Sequence, residues 1–247
     1  MTDPVDAAEQ NYFAAWRVLC GRAKGCHAED TDDILFTYVP ESMAYFNSAF
    51  VKPPADPIAC ISPARAFFAD RGTQFTLRFR DDPGAQAACA AAGFTPAGLS
   101  PLMNVAVADV APPAMTDIRR ADQALWHDHL EAFSLGFGMP IEFSARLVGR
   151  SLSEDDEYIA FNAYVDGTVA STAALVISGT VAGIYNVATP EPYRGRGLGE
   201  ATTRAAVAEG ARRGCVLSTL QASELGYPIY ERMGFRTVVS WRSVTSS

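Results

Sequence analysis

The sequence contains no long apolar run. Although 49% of its 247 residues are hydrophobic, no stretch approaches the roughly 20 residues that a transmembrane helix needs. The first residues, Met1-Thr2-Asp3-Pro4, lack the basic and then apolar pattern of a secretory signal peptide. We therefore expect no membrane segment and a cytoplasmic location.

Cysteine and positive charge are also scarce. The five cysteines show no regular spacing, which indicates reduced thiols rather than a disulfide framework. The net charge of −8 argues against general nucleic-acid binding and permits a cationic substrate. Cys26-His27 has no second pair to complete a zinc site. His127 and His129 are two residues apart and diverge on a helix, so no metal is expected.

Two common glycine signatures are missing, and a third is present. A dinucleotide fingerprint would need glycine where Glu200 stands, and the Gly-Lys-Ser/Thr of a triphosphate loop is absent. The segment Arg194-Gly195-Arg196-Gly197-Leu198-Gly199 instead joins a predicted strand, 181–188, to a predicted alanine-rich helix, 196–213. Glycines expose successive amides, and a helix begins there. The segment therefore predicts a phosphate or pyrophosphate site.

This glycine segment and a second block downstream carry a family resemblance. The pattern Arg-x-x-Gly-x-Gly after a strand resembles the acyl-coenzyme A loop of GNAT-type N-acetyltransferases. The run from Leu220-Gln221-Ala222-Ser223 through Pro228 to Gly234-Phe235, about thirty residues on, is similar to that family's second signature block. The resemblance covers roughly residues 115–247. It implies the GNAT fold, an α/β (α+β) structure in which helices flank a mixed central sheet.

The order of predicted elements agrees with that fold. Two helical segments, 121–135 and 141–152, precede the strands 158–165, 168–178 and 181–188. Asp166-Gly167 between the first two strands is a strong hairpin signal. After the helix over 196–213 come a strand at 215–221 and a short helix that starts near Pro228.

The resemblance also implies site residues. Main-chain groups of Val187, Ala188 and Thr189 would hold the pantetheine arm and the acetyl carbonyl of acetyl-CoA. Residues Arg194, Gly195, Arg196, Gly197, Leu198 and Gly199 would bind its pyrophosphate, and Ser223 stands where an asparagine is often found. Tyr230 matches the family's general acid, since a tyrosine keeps its proton at neutral pH. A purely packed Tyr230, or the neighbouring Tyr227 as donor, remains the alternative.

The general base and the acceptor pocket are less defined. Glu142, Asp156 and Glu157 all lie where they could border the cleft, and many family members use a chain of water molecules instead. Phe133, Phe137 and Met139 match the part of the family that builds the acceptor pocket, although they are equally suited to a core.

The chain carries a similar pattern twice. In the second half 20 residues separate Gly214 from Gly234, and in the first half 21 separate Gly72 from Gly93. The first copy has no glycine loop, because Pro53-Pro54-Ala55-Asp56-Pro57 stands in its place and proline has no N–H. We therefore expect a duplicated fold, with a degenerate domain at 1–111 and a catalytic domain at 112–247. The proline-containing segment 109–115 is the expected boundary.

Together these features predict an N-acetyltransferase that moves the acetyl group of acetyl-CoA to a primary amine. The alternative is a CoA-binding regulatory or scaffold module that has lost catalysis. The expected partners are acetyl-CoA and the amine, without nucleic acid or membrane, in a monomer or homodimer.

Overall fold

The computed structural model describes residues 3–22, 25–40, 43–114, 117–154 and 156–247. Within these residues the α-helices are α1 Pro4–Arg22, α2 Ile61–Ala69, α3 Pro83–Ala91, α4 Trp126–Phe137, α5 Ile141–Leu147, α6 Leu198–Arg212 and α7 Tyr227–Arg232. The strands are β1 His27–Asp30, β2 Ile34–Tyr38, β3 Ser48–Val51, β4 Thr76–Arg80, β5 Thr95–Ala106, β6 Ile118–Arg120, β7 Tyr158–Val165, β8 Thr168–Ser178, β9 Val181–Ala188, β10 Leu217–Gln221 and β11 Arg236–Thr245.

The chain divides into two compact units, and their boundaries differ from the single division expected at residues 111 and 112. The first unit contains residues 1–23 and 103–236, and the second contains 24–102 and 237–247. The N-terminal helix therefore belongs to the same unit as the glycine loop, and the C-terminal strand belongs to the unit of the first half. Met115 and Thr116, at and just after the end of the expected boundary segment, lie outside the described residues.

Both units repeat one order of elements. In the first unit β7, β8 and β9 are antiparallel, and α6 leads to β10, which is parallel to β9. In the second unit β1, β2 and β3 are antiparallel, and α2 leads to β4, which is parallel to β3. Each unit thus has a mixed sheet with helices on it, which confirms the expected fold class and agrees with a duplication.

The last strand of each repeat is exchanged in part, since residues 103–106 of β5 belong to the first unit and residues 237–245 of β11 belong to the second. Antiparallel β11 pairs with β4 through residues 241–245 in the second unit. In the first unit, Thr219 Oγ1 on β10 donates a hydrogen bond to the Met103 carbonyl oxygen at 3.2 Å. A strand fits wherever a sheet edge offers free backbone groups and a matching apolar face, whatever its position in the sequence. The exchange explains why a sequence boundary alone does not divide the chain.

Apolar side chains form a large buried cluster in each unit. In the first unit Leu175, Ile184, Val207 and Phe235 belong to one buried cluster, which joins α6 and α7 to the sheet. In the second, α2 and α3 pack on β2, β3 and β4 through a cluster that includes Phe68 and Cys89. All five cysteines have free thiols. Among the described residues, no helix combines the length and apolar character that a bilayer span requires.

Helix α1 is attached to the first unit by a buried asparagine. Asn11 Nδ2 donates to the carbonyl oxygens of Val176 and Val181 at 3.0 and 3.3 Å. Its Oδ1 accepts from the Tyr185 hydroxyl at 2.8 Å. The helix lies so close to β9 that a Cβ on Gly183 would be 1.8 Å from the same Oδ1. One side chain therefore satisfies buried polar groups on two strands.

The substitution Asn11→Ala should destabilise the protein strongly. It would remove the acceptor of the Tyr185 hydroxyl and the Nδ2 donor to the carbonyl oxygens of Val176 and Val181, at a cost of roughly 2–3 kcal/mol. We expect a clearly lower urea midpoint, followed by circular dichroism. The control is Gln10→Ala, because Gln10 is an exposed neighbour on the same helix. Equal midpoints for the two variants would show that Asn11 does not anchor α1.

Candidate functional site

The candidate site begins where β9 loses one of its neighbours. Parallel pairing joins Val181–Ile184 of β9 to Leu217–Leu220 of β10. Within the described part of the chain, residues 185–188 have no partner on β10, although they still belong to β9. Backbone donors and acceptors on that side of β9 are therefore available to a ligand. The residues predicted to hold the acyl arm, Val187 and Ala188, lie in this open segment.

A β-bulge changes the course of β9 at the same place. Ala174 of β8 pairs with Tyr185 and Thr172 pairs with Ala188, so β9 has one more residue than β8 between these pairs. Asn186 has a φ of +53°, a left-handed conformation that asparagine tolerates better than most residues. The bulge therefore changes the direction in which the backbone groups of Val187 and Ala188 point.

The glycine loop follows, and its backbone supports the sequence prediction of an anion site. Gly195 and Gly197 have φ values of +74° and +75°, in the left-handed region, and α6 begins at Leu198. Among the described residues, no protein group accepts a hydrogen bond from the amides of residues 195–200. Free amides in alternating conformations at a helix N-terminus form an anion-binding concavity.

Neighbouring elements hold this loop against the end of β9. A Cβ on Gly199 would lie 3.3 Å from Thr189 Oγ1, so glycine lets the first turn of α6 come close. From the other direction, a Cβ on Gly136 of α4 would lie 2.7 Å from Ala188 Cβ. Ser171 Oγ also donates to the Ala188 carbonyl oxygen at 3.1 Å and lies 2.9 Å from Thr189 Oγ1.

The two loop arginines have different surroundings. Arg194 Nε donates to the Thr189 carbonyl oxygen at 3.0 Å, and its Nη2 donates to the Gly136 carbonyl oxygen at 3.2 Å. Arg194 therefore braces the loop against α4. Arg196 is exposed, with its guanidinium 5.9 Å from the centre of the Tyr193 ring. The Leu198 side chain is buried, so only its backbone faces the loop.

Tyr230 lies on α7 beside the first turn of α6. Its ring is 8% exposed and belongs to the buried cluster of the first unit. Thr203 of α6 lies beside the Tyr230 hydroxyl, and Thr203 Oγ1 donates its proton to the Gly199 carbonyl oxygen at 2.8 Å. Burial raises the pKa of Tyr230 to about 12, so the phenol keeps its proton at neutral pH. The fold thus brings the predicted acid next to the predicted anion loop.

The other predicted site residues lie in a turn or on the surface. Ser223 Oγ accepts from the Gly226 amide at 3.2 Å in the turn before α7, which leaves its own proton to donate. Glu142 and Asp156 are exposed, and Glu157 pairs with Arg22 at 2.8 Å. No carboxylate of these three lies buried in the site.

The predicted acceptor residues are divided between core and surface. Phe133 is buried, Met139 is half-buried and Phe137 is 49% exposed. Leu135 and Ile141 are also exposed around the end of α4 and the start of α5. Phe133 therefore packs in the core, while Phe137 remains available to an acceptor.

His129 belongs to a buried polar group that sequence analysis missed. Its Nδ1 lies 2.7 Å from Thr172 Oγ1 and its Nε2 lies 3.1 Å from the Tyr158 hydroxyl. Only its spacing from His127 was visible in the sequence, and the partners come from strands far along the chain. Among the residues that the structure describes, no three His, Cys, Asp or Glu side chains form a group suited to a metal ion.

The corresponding segment of the second unit is different. Between β3 and α2, no residue of 52–60 has a positive φ. A cavity of about 420 Å³ is present there, and Asp33, Asp56 and Cys60 line it. Burial and the two carboxylates raise the pKa of the Cys60 thiol to about 11. The negative charge and the missing amide concavity both disfavour a pyrophosphate.

Comparison with known proteins agrees with this geometry. Residues 121–235 match the model of the Acetyltransferase (GNAT) family. No curated protein shows a significant match. A GCN5-related N-acetyltransferase from Kribbella flavida is 18% identical, with 97% of this chain and 95% of that chain covered and a TM-score of 0.72.

Two further solved structures share the fold over most of the chain. One, described as a putative GNAT acetyltransferase from Novosphingobium aromaticivorans, is 16% identical, with 99% of each chain covered and a TM-score of 0.59. A tandem GNAT protein from the clavulanic acid biosynthesis pathway is 15% identical, with 86% of this chain and 78% of that chain covered and a TM-score of 0.59. The splayed strand and the glycine loop both lie within residues 121–235, the part of this chain that matches the acetyltransferase (GNAT) family model.

Proposed function

We propose that this protein binds acetyl-CoA and transfers its acetyl group to a primary amine. The observation that carries the proposal is the row of unpaired amides at residues 195–200, at the N-terminus of a 15-residue helix. Six amides and the positive helix end suit a pyrophosphate better than any neutral ligand. A cytoplasmic location would suit the five free thiols.

The open end of β9 supports the remainder of the cofactor site. Backbone groups of Val187, Ala188 and Thr189 would hold the pantetheine arm and the acetyl carbonyl, because β10 no longer occupies them. Arg196 is exposed and free of an acidic partner among the described residues, so it adds positive charge at the loop. Ser223 has a proton to donate.

Tyr230 suits the role of general acid. When bound, acetyl-CoA supplies the thioester that the amine attacks. A phenol with a raised pKa cannot lose its proton to water at neutral pH, yet it can donate that proton to a departing thiolate. Its neighbour Thr203 donates a hydrogen bond to the Gly199 carbonyl oxygen, so the phenol lies near the first turn of α6. Since no predicted carboxylate is buried in the site, we propose that water removes the proton from the amine.

The acceptor amine would enter beside α4 and α5. Leu135, Phe137 and Ile141 leave apolar surface exposed there, close in the chain to Gly136, which contacts the end of β9. These side chains would contact the carbon skeleton of the amine.

The substitution Gly197→Asp should weaken acetyl-CoA binding. It adds a carboxylate where the amides would face the pyrophosphate, and we expect affinity to fall more than about tenfold, or 1.4 kcal/mol. Isothermal titration calorimetry measures the effect. Gly167→Asp is the control, because Gly167 has a similar φ of +77° and equally open space but lies in the β7–β8 hairpin. Similar affinities for both variants would remove the loop from the cofactor site.

The substitution Tyr230→Phe should slow turnover by roughly 10²-fold with little change in the acetyl-CoA KM. The ring would remain in place, packed so near Gly226 that a Cβ there would lie 2.8 Å from Tyr230 Cε2. Thiol release with a panel of primary amines provides the assay, and Tyr227→Phe is the matched control. Near-normal turnover in Tyr230→Phe would assign the proton donor elsewhere. Acetyl-CoA binding without thiol release from any amine would favour the inactive CoA-binding module.

A further inference from the structure

A buried chain of hydrogen bonds connects α4 to the bulge of β9. Asn186 Nδ2 donates to the Tyr158 hydroxyl at 2.9 Å, and that hydroxyl lies 3.1 Å from His129 Nε2. His129 Nδ1 lies 2.7 Å from Thr172 Oγ1. Tyr158, His129 and Thr172 are each at most 1% exposed. Four side chains from one helix and three strands therefore form one continuous polar chain.

The direction of these hydrogen bonds follows from the chemistry of the groups. Burial lowers the pKa of His129 to about 3, so the imidazole is neutral and has one donor and one acceptor nitrogen. The Asn186 amide nitrogen can only donate, so Tyr158 accepts from it and gives its own proton to His129 Nε2. His129 Nδ1–H then donates to Thr172. Thr172 Oγ1 in turn lies 3.0 Å from Asn162 Oδ1 and 3.1 Å from the Phe161 carbonyl oxygen, and either oxygen can accept its proton.

This chain of hydrogen bonds does not conduct protons to the site. An amide neither takes up nor releases a proton at neutral pH, and Asn186 forms the end nearest the open part of β9. Burial also raises the pKa of Tyr158 well above its ordinary value, while His129 does not accept a proton near neutrality. The effect of the hydrogen-bond chain is therefore geometric.

The geometric effect is on the bulge. Asn186 is the left-handed residue between the β8 pairings of Tyr185 and Ala188. Its anchored side chain fixes the extra residue from one side, while Ser171 fixes the Ala188 carbonyl oxygen from the other at 3.1 Å. Between these two anchors lies Val187, whose backbone is proposed to hold the acetyl carbonyl.

We infer that Tyr158, His129 and Asn186 are positioning residues for acyl transfer, which hold the β9 bulge so that its amides meet the acetyl carbonyl. This inference rests on the proposed function. It assigns a purpose to a buried histidine that touches neither the glycine loop nor Tyr230 in the described structure. Since the carbonyl gains negative charge during the reaction, misplaced amides should slow the reaction more than they weaken coenzyme binding.

The test compares two hydroxyl deletions between the same two elements. Tyr158→Phe interrupts the hydrogen-bond chain at its centre, between Asn186 and His129. Tyr164→Phe removes a hydroxyl that also connects β7 to α4, through Asp128 Oδ2 at 2.6 Å, but outside the chain. For Tyr158→Phe we expect about tenfold lower kcat and a reduced preference for acetyl-CoA over CoA by calorimetry, with unchanged affinity for CoA. Tyr164→Phe should keep all three values.

A double-mutant cycle shows whether the effect passes through Asn186. Asn186→Gly keeps the left-handed backbone accessible and removes the anchor. In that background Tyr158→Phe should have no further effect on kcat or on the acetyl-CoA preference. Unchanged values in Tyr158→Phe, or independent effects that multiply in the double variant, would overturn the inference. If Tyr158→Phe does not fold, a wild-type acetyl-CoA preference and kcat in Asn186→Gly would overturn it equally. Wild-type protein that binds neither CoA nor acetyl-CoA would instead contradict the proposed function.

Discussion

The divergence of β9 from β10 after Ile184 is the constraint on which the site depends. A buried strand normally pairs on both sides, because unpaired backbone groups are costly. Of the last four residues of β9, Tyr185 and Ala188 pair with β8 alone, and Asn186 and Val187 form the bulge between them. The strand therefore ends as an open row of donors and acceptors. The bulge at Asn186 aims that row, and the left-handed Gly195 and Gly197 turn the chain so that the amides of α6 face the same end.

The two units show what this arrangement requires beyond the fold. Both have three antiparallel strands, a helix and a parallel strand. In the first unit, residues 189–197 join the strand to the helix and include two left-handed glycines. In the second unit, residues 52–60 take the same place, and none of them has a positive φ. Carboxylates of Asp33 and Asp56 line the corresponding cavity. The same topology thus favours an anion in one unit and disfavours it in the other.

Much of the first unit could be predicted from sequence because its signals are local. The strands 158–165, 168–178 and 181–188 agree with the structure residue for residue, and the Asp166-Gly167 turn defines the ends of the first two. Helix α1 and the exchanged strands were missed, because Asn11 acts through residues more than 160 positions away. The glycine loop could be predicted as a tight turn before a helix for the same local reason. The environment of His129 could not, because Tyr158 and Thr172 reach it only through the folded sheet.

The central claim is that one chain holds one acetyl-CoA, bound at the loop of residues 195–199. Calorimetric titration of the full-length protein with acetyl-CoA tests it most directly, together with a variant in which Pro53, Pro54 and Pro57 are all replaced by alanine. We expect one equivalent per chain in both proteins, because the 52–60 segment has no amide concavity and faces two carboxylates. Two equivalents in the wild type, or an affinity that changes in the proline variant, would contradict the account.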